Sequence, residues 1–236
     1  MVGLKFLSLA ATAVFLLARG ATAGAVKSTA ERVNCTSAMN AARNGGAFVA
    51  LNPAEDPAYQ LPITTTSTTP PTTSTSNDAY IKKVCAAMKN KTPISTTTKP
   101  DGIFAYAVQT EEKPDCEAAV DYWKKAYSTI GDLPPAFSNY TTAPYNDANN
   151  VSLMSLFNPK DDPTVDCAYF KCADASEASV EFKALLCVTT PNALKKNEQP
   201  FTEDEWKRIN TAINSGSAAV PTAIVVGAAA LAALFL

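Results

Sequence analysis

Six cysteines constrain the fold of this 236-residue chain more than any other feature of its sequence. An even number of cysteines in a secreted chain predicts three disulfides, and the alternative is free cysteines buried in a core. The chain has no histidine and no Cys-x-x-Cys pair, so the usual ligand patterns of a zinc site are absent. The candidates for disulfide bonding are Cys35, Cys85, Cys116, Cys167, Cys172 and Cys187.

The amino-terminal segment has the pattern of a secretory signal peptide. Lys5 precedes an apolar run over residues 6–18, and Ala21 and Ala23 form the A-x-A pattern that signal peptidase cleaves. We therefore expect residues 1–23 to be removed in the secretory pathway, where disulfides form.

The charge of the mature part argues against two classes of partner. The predicted signal peptide holds two of the 20 basic residues, Lys5 and Arg19, and no acid, which leaves 18 basic and 22 acidic residues and a net charge of −4. A mildly acidic surface argues against nucleic acid or anionic lipid as the partner.

The carboxy-terminal segment is apolar and has no charged residue from Ser215 to Leu236. A stop-transfer span needs roughly 20 apolar residues and is usually flanked by basic residues on its cytoplasmic side. A GPI signal needs small residues at the attachment site, a spacer and a hydrophobic tail of roughly 10–20 residues. The sequence "NSGS" and the apolar run from Ala223 favour the GPI signal, so we expect attachment at Asn214 or Ser215 and removal of residues 215–236 as a propeptide.

Between the two signals, residues 24–214 form one predicted ectodomain with a mixed α/β (α+β) fold. The composition of residues 63–77, which is rich in Thr, Ser and Pro, predicts an inserted solvated loop or an O-glycosylated patch. The periodicity of apolar residues predicts helices over 28–43, 78–90 and 115–130 and from 202 onward, and strands over 102–109, 151–157, 165–171 and 180–188. The last three strands are expected to form an antiparallel group.

Local signals mark the helix ends and one strand face. Asp78 and Asp115 are expected helix caps, and Thr202 with Glu205 predicts a capping box. The alternation within 180–188 is typical of a strand with one buried face.

Catalytic chemistry finds little support in these residues. The lack of histidine removes Ser-His and Cys-His nucleophile pairs and histidine-ligated metals, so we predict no catalytic, cofactor-binding or metal-binding residue and a non-enzymatic protein. The carboxylates of Asp161 and Asp162 are expected in a turn, and those of Glu203, Asp204 and Glu205 at a helix start, where acids favour the helix dipole. Trp123 and Trp206 lie on apolar stripes, which favours core packing over a ligand platform.

Four N-glycosylation sequons occur, and each is a candidate only where its asparagine is exposed. They are at Asn34, Asn90, Asn139 and Asn150.

The segment "VDCAYFKCADASEASVEFKALLCVTTPNAL" resembles the Eimeria SAG family of GPI-linked surface antigens, as do the six cysteines and the two terminal signals. The resemblance implies a CAP-like three-layer α/β/α sandwich with a small, mostly antiparallel sheet. "DGIFAYA" is similar to a CAP strand, "CEAAVDYWKKAY" to the sheet-packing helix and "NNVSLMSLF" to a further strand. Ile103 and Val151 lie where CAP proteins often have metal ligands, so the metal site is expected to be absent.

The resemblance also implies a function and one disulfide. Cys167 is expected to pair with Cys187, and Cys172 with one of Cys35, Cys85 or Cys116. The implied function is a surface antigen on the outer leaflet of the plasma membrane of an apicomplexan parasite, held by its GPI lipid and facing host cells or host antibodies. Binding of a lipid or another small molecule, as in some CAP-like domains, is the alternative.

Overall fold

The structure, a computed structural model, describes residues 25–66, 74–94, 99–176 and 178–215. The predicted signal peptide and residues 216–236 of the predicted propeptide lie outside these ranges. The strands are β1 (Thr29–Val33), β2 (Asn52–Pro53), β3 (Thr64–Thr66), β4 (Ser74–Ser76), β5 (Ile103–Gln109), β6 (Thr164–Ala173) and β7 (Val180–Thr190). The helices are α1 (Thr36–Asn44), α2 (Asp78–Lys89), α3 (Cys116–Lys124), α4 (Ala126–Ile130), α5 (Ala148–Leu156) and α6 (Glu203–Ser215).

One sheet organises the domain, with strand order β1-β6-β7-β5. The three pairings along this path are antiparallel, and the short β2 adds a parallel pairing to β6. The strands predicted over 102–109, 165–171 and 180–188 are therefore confirmed, and β6 and β7 form the expected antiparallel pair.

Helices cover both faces of this sheet. On one face, α1, α3, α5 and α6 pack against alternate strand residues such as Ala105, Leu185 and Cys187. On the other face, α2 packs against the intervening residues, among them Phe104 and Leu186. From Ala184 onward β7 is buried on both faces, so the expectation of one buried face is wrong, because helices flank both sides of the sheet.

The helix α5 covers the free edge of the sheet, where a strand was predicted over 151–157. The hydroxyl of Ser152 accepts a hydrogen bond from the Tyr106 amide at 3.1 Å, and the hydroxyl of Ser155 donates to the Ile103 carbonyl at 2.8 Å. These bonds satisfy backbone groups of the edge strand β5. Because Asn150–Leu156 is buried throughout, the segment has no polar face to reveal its helical period, and the strand implied by the CAP comparison is wrong.

The amino-terminal prediction is also partly wrong. Residues 29–33 form β1 against β6 rather than the first turns of a helix, and α1 begins only at Thr36. Pairing with the long β6 overrides the helical spacing of alanines, and the helix ends before Gly45 as expected.

The remaining helix predictions agree closely with the structure. Asp115 caps α3 by accepting from the Ala118 amide at 2.9 Å, although the predicted 115–130 helix is divided at Lys125 into α3 and α4. The capping box of α6 is confirmed, since Thr202 and Glu205 exchange hydrogen bonds of 2.7 and 3.2 Å. The cap of α2 is Asn77 rather than Asp78.

The inserted segment over 63–77 contains a short hairpin where a loop was predicted. Strands β3 and β4 pair antiparallel, and the hydroxyls of Thr65 and Thr75 lie 2.9 Å apart across the pair. Threonine favours extended backbone, which accounts for pairing without a buried face. Residues 67–73 lie outside the described ranges.

Candidate functional site

Three disulfides connect the layers of the domain. Cys35–Cys116 joins the start of α1 to the start of α3, and Cys85–Cys172 joins α2 to β6. Cys167–Cys187, the pair implied by the family resemblance, links β6 to β7 across 20 residues of sequence. Cys172 therefore bonds to Cys85 among the three alternatives left open.

Two of these disulfides lie against each other on one face of the sheet. The sulfur atoms of Cys35, Cys167 and Cys187 lie within 4.8 Å of one another, and all three residues are buried. Metal binding requires thiolates, and each of these sulfurs is in a disulfide. The cluster therefore cross-links the fold and does not offer metal ligands.

The four sequon asparagines differ in accessibility. Asn34, Asn90 and Asn139 are exposed, whereas Asn150 is buried at the start of α5 and its Nδ2 donates to the Pro144 carbonyl at 3.0 Å. A glycan on Asn150 is incompatible with this packing, so Asn150 does not meet the condition of exposure. Glycans at the other three positions remain predictions.

The other residues considered from sequence occupy structural positions. Asp161 and Asp162 are exposed in the turn before β6, and Glu205 is engaged in the capping box. Trp123 and Trp206 are buried in the core, as predicted, and so are Ile103 and Val151, although Val151 lies on a helix. The predicted attachment residues, Asn214 and Ser215, are the last two residues of α6.

The structure contains a groove that was not predicted from the sequence. It lies between the start of α5, the end of β5 and the α3–α4 region, and its cavity volume is about 490 Å³. This volume is within the range of roughly 300–1,000 Å³ that is typical of small-molecule sites. The lining of this α5 groove consists of Lys91, Tyr106, Val108, Tyr122, Thr129, Asp147, Ala148, Asn149 and Asn150.

The residues that line the α5 groove include two with unpaired buried oxygens and two with exposed apolar side chains. The Oδ1 atoms of Asn149 and Asn150 are buried and have no hydrogen-bond partner within the described ranges. Val108 and Tyr122 are 57% and 46% exposed, so the rim presents two large apolar side chains to solvent. Unpaired buried oxygens are unusual because buried polar atoms are normally paired, whereas single exposed apolar side chains are common on protein surfaces.

The electrostatics of the groove follow from its closely spaced groups. Burial, together with Tyr122 and Asp147, raises the pKa of the Tyr106 hydroxyl, which therefore stays protonated and donates to the Thr92 carbonyl at 3.3 Å. One carboxylate oxygen of Asp147 accepts hydrogen bonds from the backbone amides of Asn149 and Asn150, at 2.7 and 3.1 Å. Lys91 and Asp147 give the lining a balanced formal charge.

Sequence reasoning missed this groove because its residues come from distant segments. Tyr106 precedes Asn149 and Asn150 by more than 40 residues, and the CAP strand implied for "NNVSLMSLF" would place these asparagines on a strand rather than at a helix start. Asn150 was considered only as a sequon. The available signal was the Asp147 cap before the asparagine pair, which marks a helix start.

Three disulfides in an α+β domain are typical of secreted and cell-surface proteins. Within the part of the chain that the structure describes, no helix is both long and apolar enough to cross a bilayer. The model of the sporozoite surface antigen (SAG) protein domain matches residues 31–227. The chain is also 30% identical over 227 residues to the sporulated oocyst TA4 antigen of Eimeria tenella, covering 88% of this chain and 89% of that protein.

The chain therefore belongs to the sporozoite surface antigen family, which confirms the resemblance found in the sequence. Among solved structures, it is similar to the Eimeria tenella surface antigen protein SAG19, with 14% identity and a TM-score of 0.45. That match covers 78% of this chain and 97% of the solved one.

Proposed function

We propose that this protein is a non-enzymatic antigen held by a GPI lipid on the outer leaflet of the plasma membrane of an apicomplexan parasite. Family membership supports a location at the parasite surface. The single observation that carries the anchoring proposal is the sequence after Ile213, where the small residues of "NSGS" precede an uncharged apolar run.

We further propose that the ectodomain attaches to host cells. The exposed apolar pair at the rim of the α5 groove supports a contact with a partner, because such side chains are better buried in an interface. The test is binding of the purified ectodomain, residues 24–214, to host epithelial cells. Attachment predicts saturable binding that unlabelled protein displaces, and linear binding without displacement would reduce the role to a coat antigen.

Binding of a small molecule is the second candidate function, and the α5 groove is the observation that favours it. The placement of helices on both faces of the sheet supports a CAP-like arrangement, in which lipid binding is one alternative. The exposed side chains of Val108 and Tyr122 at the rim favour a ligand with apolar surface. A titration with fluorescent fatty acid checks this: saturable binding that a Tyr122→Ala substitution weakens would support lipid binding, and no saturable binding would contradict it.

A further inference from the structure

We propose that the Cys35–Cys116 disulfide reacts with a small external thiol and passes the exchange on to the neighbouring Cys167–Cys187 disulfide. The reaction makes Cys116 a modification site, because the external thiol becomes bonded to it. It depends neither on a GPI anchor nor on attachment to host cells.

Cys116 is the most accessible of the six cysteines. It is half-buried at the start of α3, whereas the other five cysteines are at most 7% exposed. Its Sγ atom lies 3.9 Å from the carbonyl oxygen of Asn34, which is an exposed residue. Thiol–disulfide exchange begins when a thiolate attacks a disulfide sulfur that it can reach. An external thiol therefore meets Cys116 before any other cysteine.

Attack at Cys116 releases Cys35, and the fold favours that leaving sulfur. Cys35 is the N-cap of the nine-residue helix α1, and within the described ranges its sulfur accepts no hydrogen bond as a cap. A helix N-terminus stabilises a thiolate, and a more stable thiolate is a better leaving group. Cys116 also begins a helix, but the carboxylate of Asp115 already caps α3. The negative charge is therefore better placed on Cys35 than on Cys116.

The released Cys35 thiolate lies next to a second disulfide. The sulfur atoms of Cys35, Cys167 and Cys187 lie within 4.8 Å of one another. A disulfide needs about 2.05 Å between its sulfurs, so a rotation of the Cys35 side chain can bring its sulfur into bonding distance. Cys35 and Cys167 also border the same cavity of about 340 Å³, which gives the side chain room to turn.

The two steps balance in atoms and electrons. In the first step, a bond forms between the external sulfur and the Sγ of Cys116, the Cys35–Cys116 bond breaks, and the electron pair leaves on Cys35. In the second step, Cys35 bonds to Cys167 or Cys187, the bond between those two breaks, and the released sulfur takes a proton from water. One external thiol is consumed and one protein thiol is formed. The new thiol is tolerated in the core, because a buried free cysteine behaves as a small apolar side chain.

The charges beside Cys116 favour neutral or cationic thiols over anionic ones. The exposed carboxylates of Asp115 and Glu117 flank this cysteine in the sequence. They repel an anionic thiol such as glutathione more strongly than a thiol with an ammonium group, such as cysteamine. Cysteamine is therefore the reagent of choice for the test.

The test is a time course of the native full chain with cysteamine. The protein is produced in a host that adds no N-glycans, so that no glycan on Asn34 shields the disulfide. Acid quenching and alkylation of free thiols precede peptide mass spectrometry. We expect cysteamine on Cys116, an alkylated thiol at Cys167 or Cys187, and a peptide that joins Cys35 to the other member of that pair.

The Cys85–Cys172 disulfide is the internal control, because both of its cysteines are buried and neither sulfur belongs to the group of three neighbouring sulfurs. It should react about tenfold more slowly than Cys35–Cys116. Equal rates for the two disulfides, a thiol trapped only at Cys35, or no cysteamine adduct on protein that circular dichroism shows to be folded would each overturn the proposal.

A variant with both Cys167→Ala and Cys187→Ala separates the two steps. It should still take up cysteamine at Cys116 but should accumulate a thiol at Cys35, since the second disulfide is missing. Thermal unfolding checks that the variant is folded, and the thiol map of wild type decides the proposal if it is not. Absence of the Cys116 adduct in the folded variant would contradict the first step.

Glu117→Gln tests the preference for the charge of the thiol. The ratio of the rate with cysteamine to the rate with glutathione should fall about threefold at low salt. Glu203→Gln is the matched control, because Glu203 is also an exposed glutamate at the start of a helix, and it should leave the ratio unchanged. The same ratio in wild type and Glu117→Gln would contradict the preference.

Discussion

The side chain of Arg43 organises a buried junction between α1, the following loop and the end of α5. It is fully buried, and its guanidinium donates to the carbonyls of Val49, Leu156 and Asn158 at 2.5–3.0 Å. Burial lowers its pKa to about 10, so it remains charged at neutral pH. Within the described ranges its hydrogen-bond acceptors are carbonyls rather than a carboxylate. The several N–H donors of the planar guanidinium, which can reach three carbonyls at once, therefore matter more here than its charge.

We predict that Arg43→Lys lowers the free energy of unfolding by about 1–3 kcal/mol, because lysine cannot reach all three carbonyls and leaves at least one unpaired. Urea denaturation should show a lower midpoint with an unchanged m-value. The matched control is Arg208→Lys, since Arg208 also lies over the Phe48 ring, at 4.6 Å, but is only half-buried. An equal decrease in the free energy of unfolding in the two variants would contradict the role assigned to Arg43.

The carboxylate of Asp174 makes the turn after β6 sensitive to acid. It accepts hydrogen bonds of 2.9 Å from the Ala178 amide and from the hydroxyls of Ser176 and Ser179. These bonds lower its pKa from 3.8 to about 2, with the Ala178 amide as the largest cause. A lowered folded-state pKa gives stability that is present above the unfolded pKa and is lost as the pH falls through the folded one.

We therefore predict that the melting temperature of wild type falls between about pH 4 and about pH 2 partly through Asp174. Asp174→Asn should be less stable than wild type at neutral pH and should show a smaller decline over this acidic range. Thermal unfolding followed by circular dichroism measures both. Parallel curves for the two proteins would contradict a contribution from this carboxylate.

At the scale of elements, α5 seals the edge of the sheet with hydroxyl groups rather than with another strand. The Ser155 hydroxyl lies 2.8 Å from the Ile103 carbonyl and 3.1 Å from the Thr189 hydroxyl, in a fully buried position. The arrangement needs a small hydroxyl residue, because a larger side chain would separate α5 from β5.

Ser155→Ala should lower the free energy of unfolding by about 1–3 kcal/mol, since the Ile103 carbonyl loses its donor in a buried site. Ser128→Ala is the matched control, because the Ser128 hydroxyl also donates to a carbonyl but is exposed on α4. Chemical denaturation of both variants provides the comparison. A loss for Ser128→Ala as large as that for Ser155→Ala would show that burial is not the reason.

The elements that could be predicted from sequence are those with one clear period or cap. The stripe of α2 and the Asp115 cap of α3 arise from local chemistry, and the structure agrees with both. The edge position of β1 and the helical state of α5 depend on distant partners, β6 and β5 respectively. Local periodicity does not contain that information, so tertiary pairing decided both elements.

At the scale of the whole molecule, several buried tyrosines make the folded state less stable at high pH. Burial is the main cause that raises the pKa of Tyr80, Tyr106 and Tyr140, and it raises the pKa of Tyr145 to about 12. The unfolded chain loses these protons near pH ~10, whereas the folded chain retains them to higher pH. The resulting stability is present below the unfolded pKa and is lost as the pH rises through the folded one.

We predict that the free energy of unfolding decreases steadily between about pH 10 and about pH 12. Tyrosinate absorbance should then increase in two stages, first for exposed tyrosines and then together with the loss of secondary structure measured by circular dichroism. Complete ionisation of the tyrosines while the secondary structure stays intact would contradict the assigned burial.

The candidate groove is also a property of the whole molecule. The even number of cysteines predicted three disulfides, which the structure contains, but the partner of Cys172 was left open because Cys85–Cys172 joins segments 87 residues apart. The signals expected at the two termini stay predictions. The α5 groove forms only when β5, the α3–α4 region and the start of α5 meet, so no local sequence pattern at Tyr122 or Asn149 indicates that the two residues line one groove.

The central claim is that a disulfide-linked ectodomain is held at the parasite surface by a glycolipid that replaces its apolar terminus. Treatment of intact parasite cells with phosphatidylinositol-specific phospholipase C tests this most directly, with mass spectrometry of the carboxy-terminal peptide. The account predicts release of the protein into the medium, with its last residue at Asn214 or Ser215. Retention on treated cells, together with a mature peptide that still contains Leu236, would contradict it.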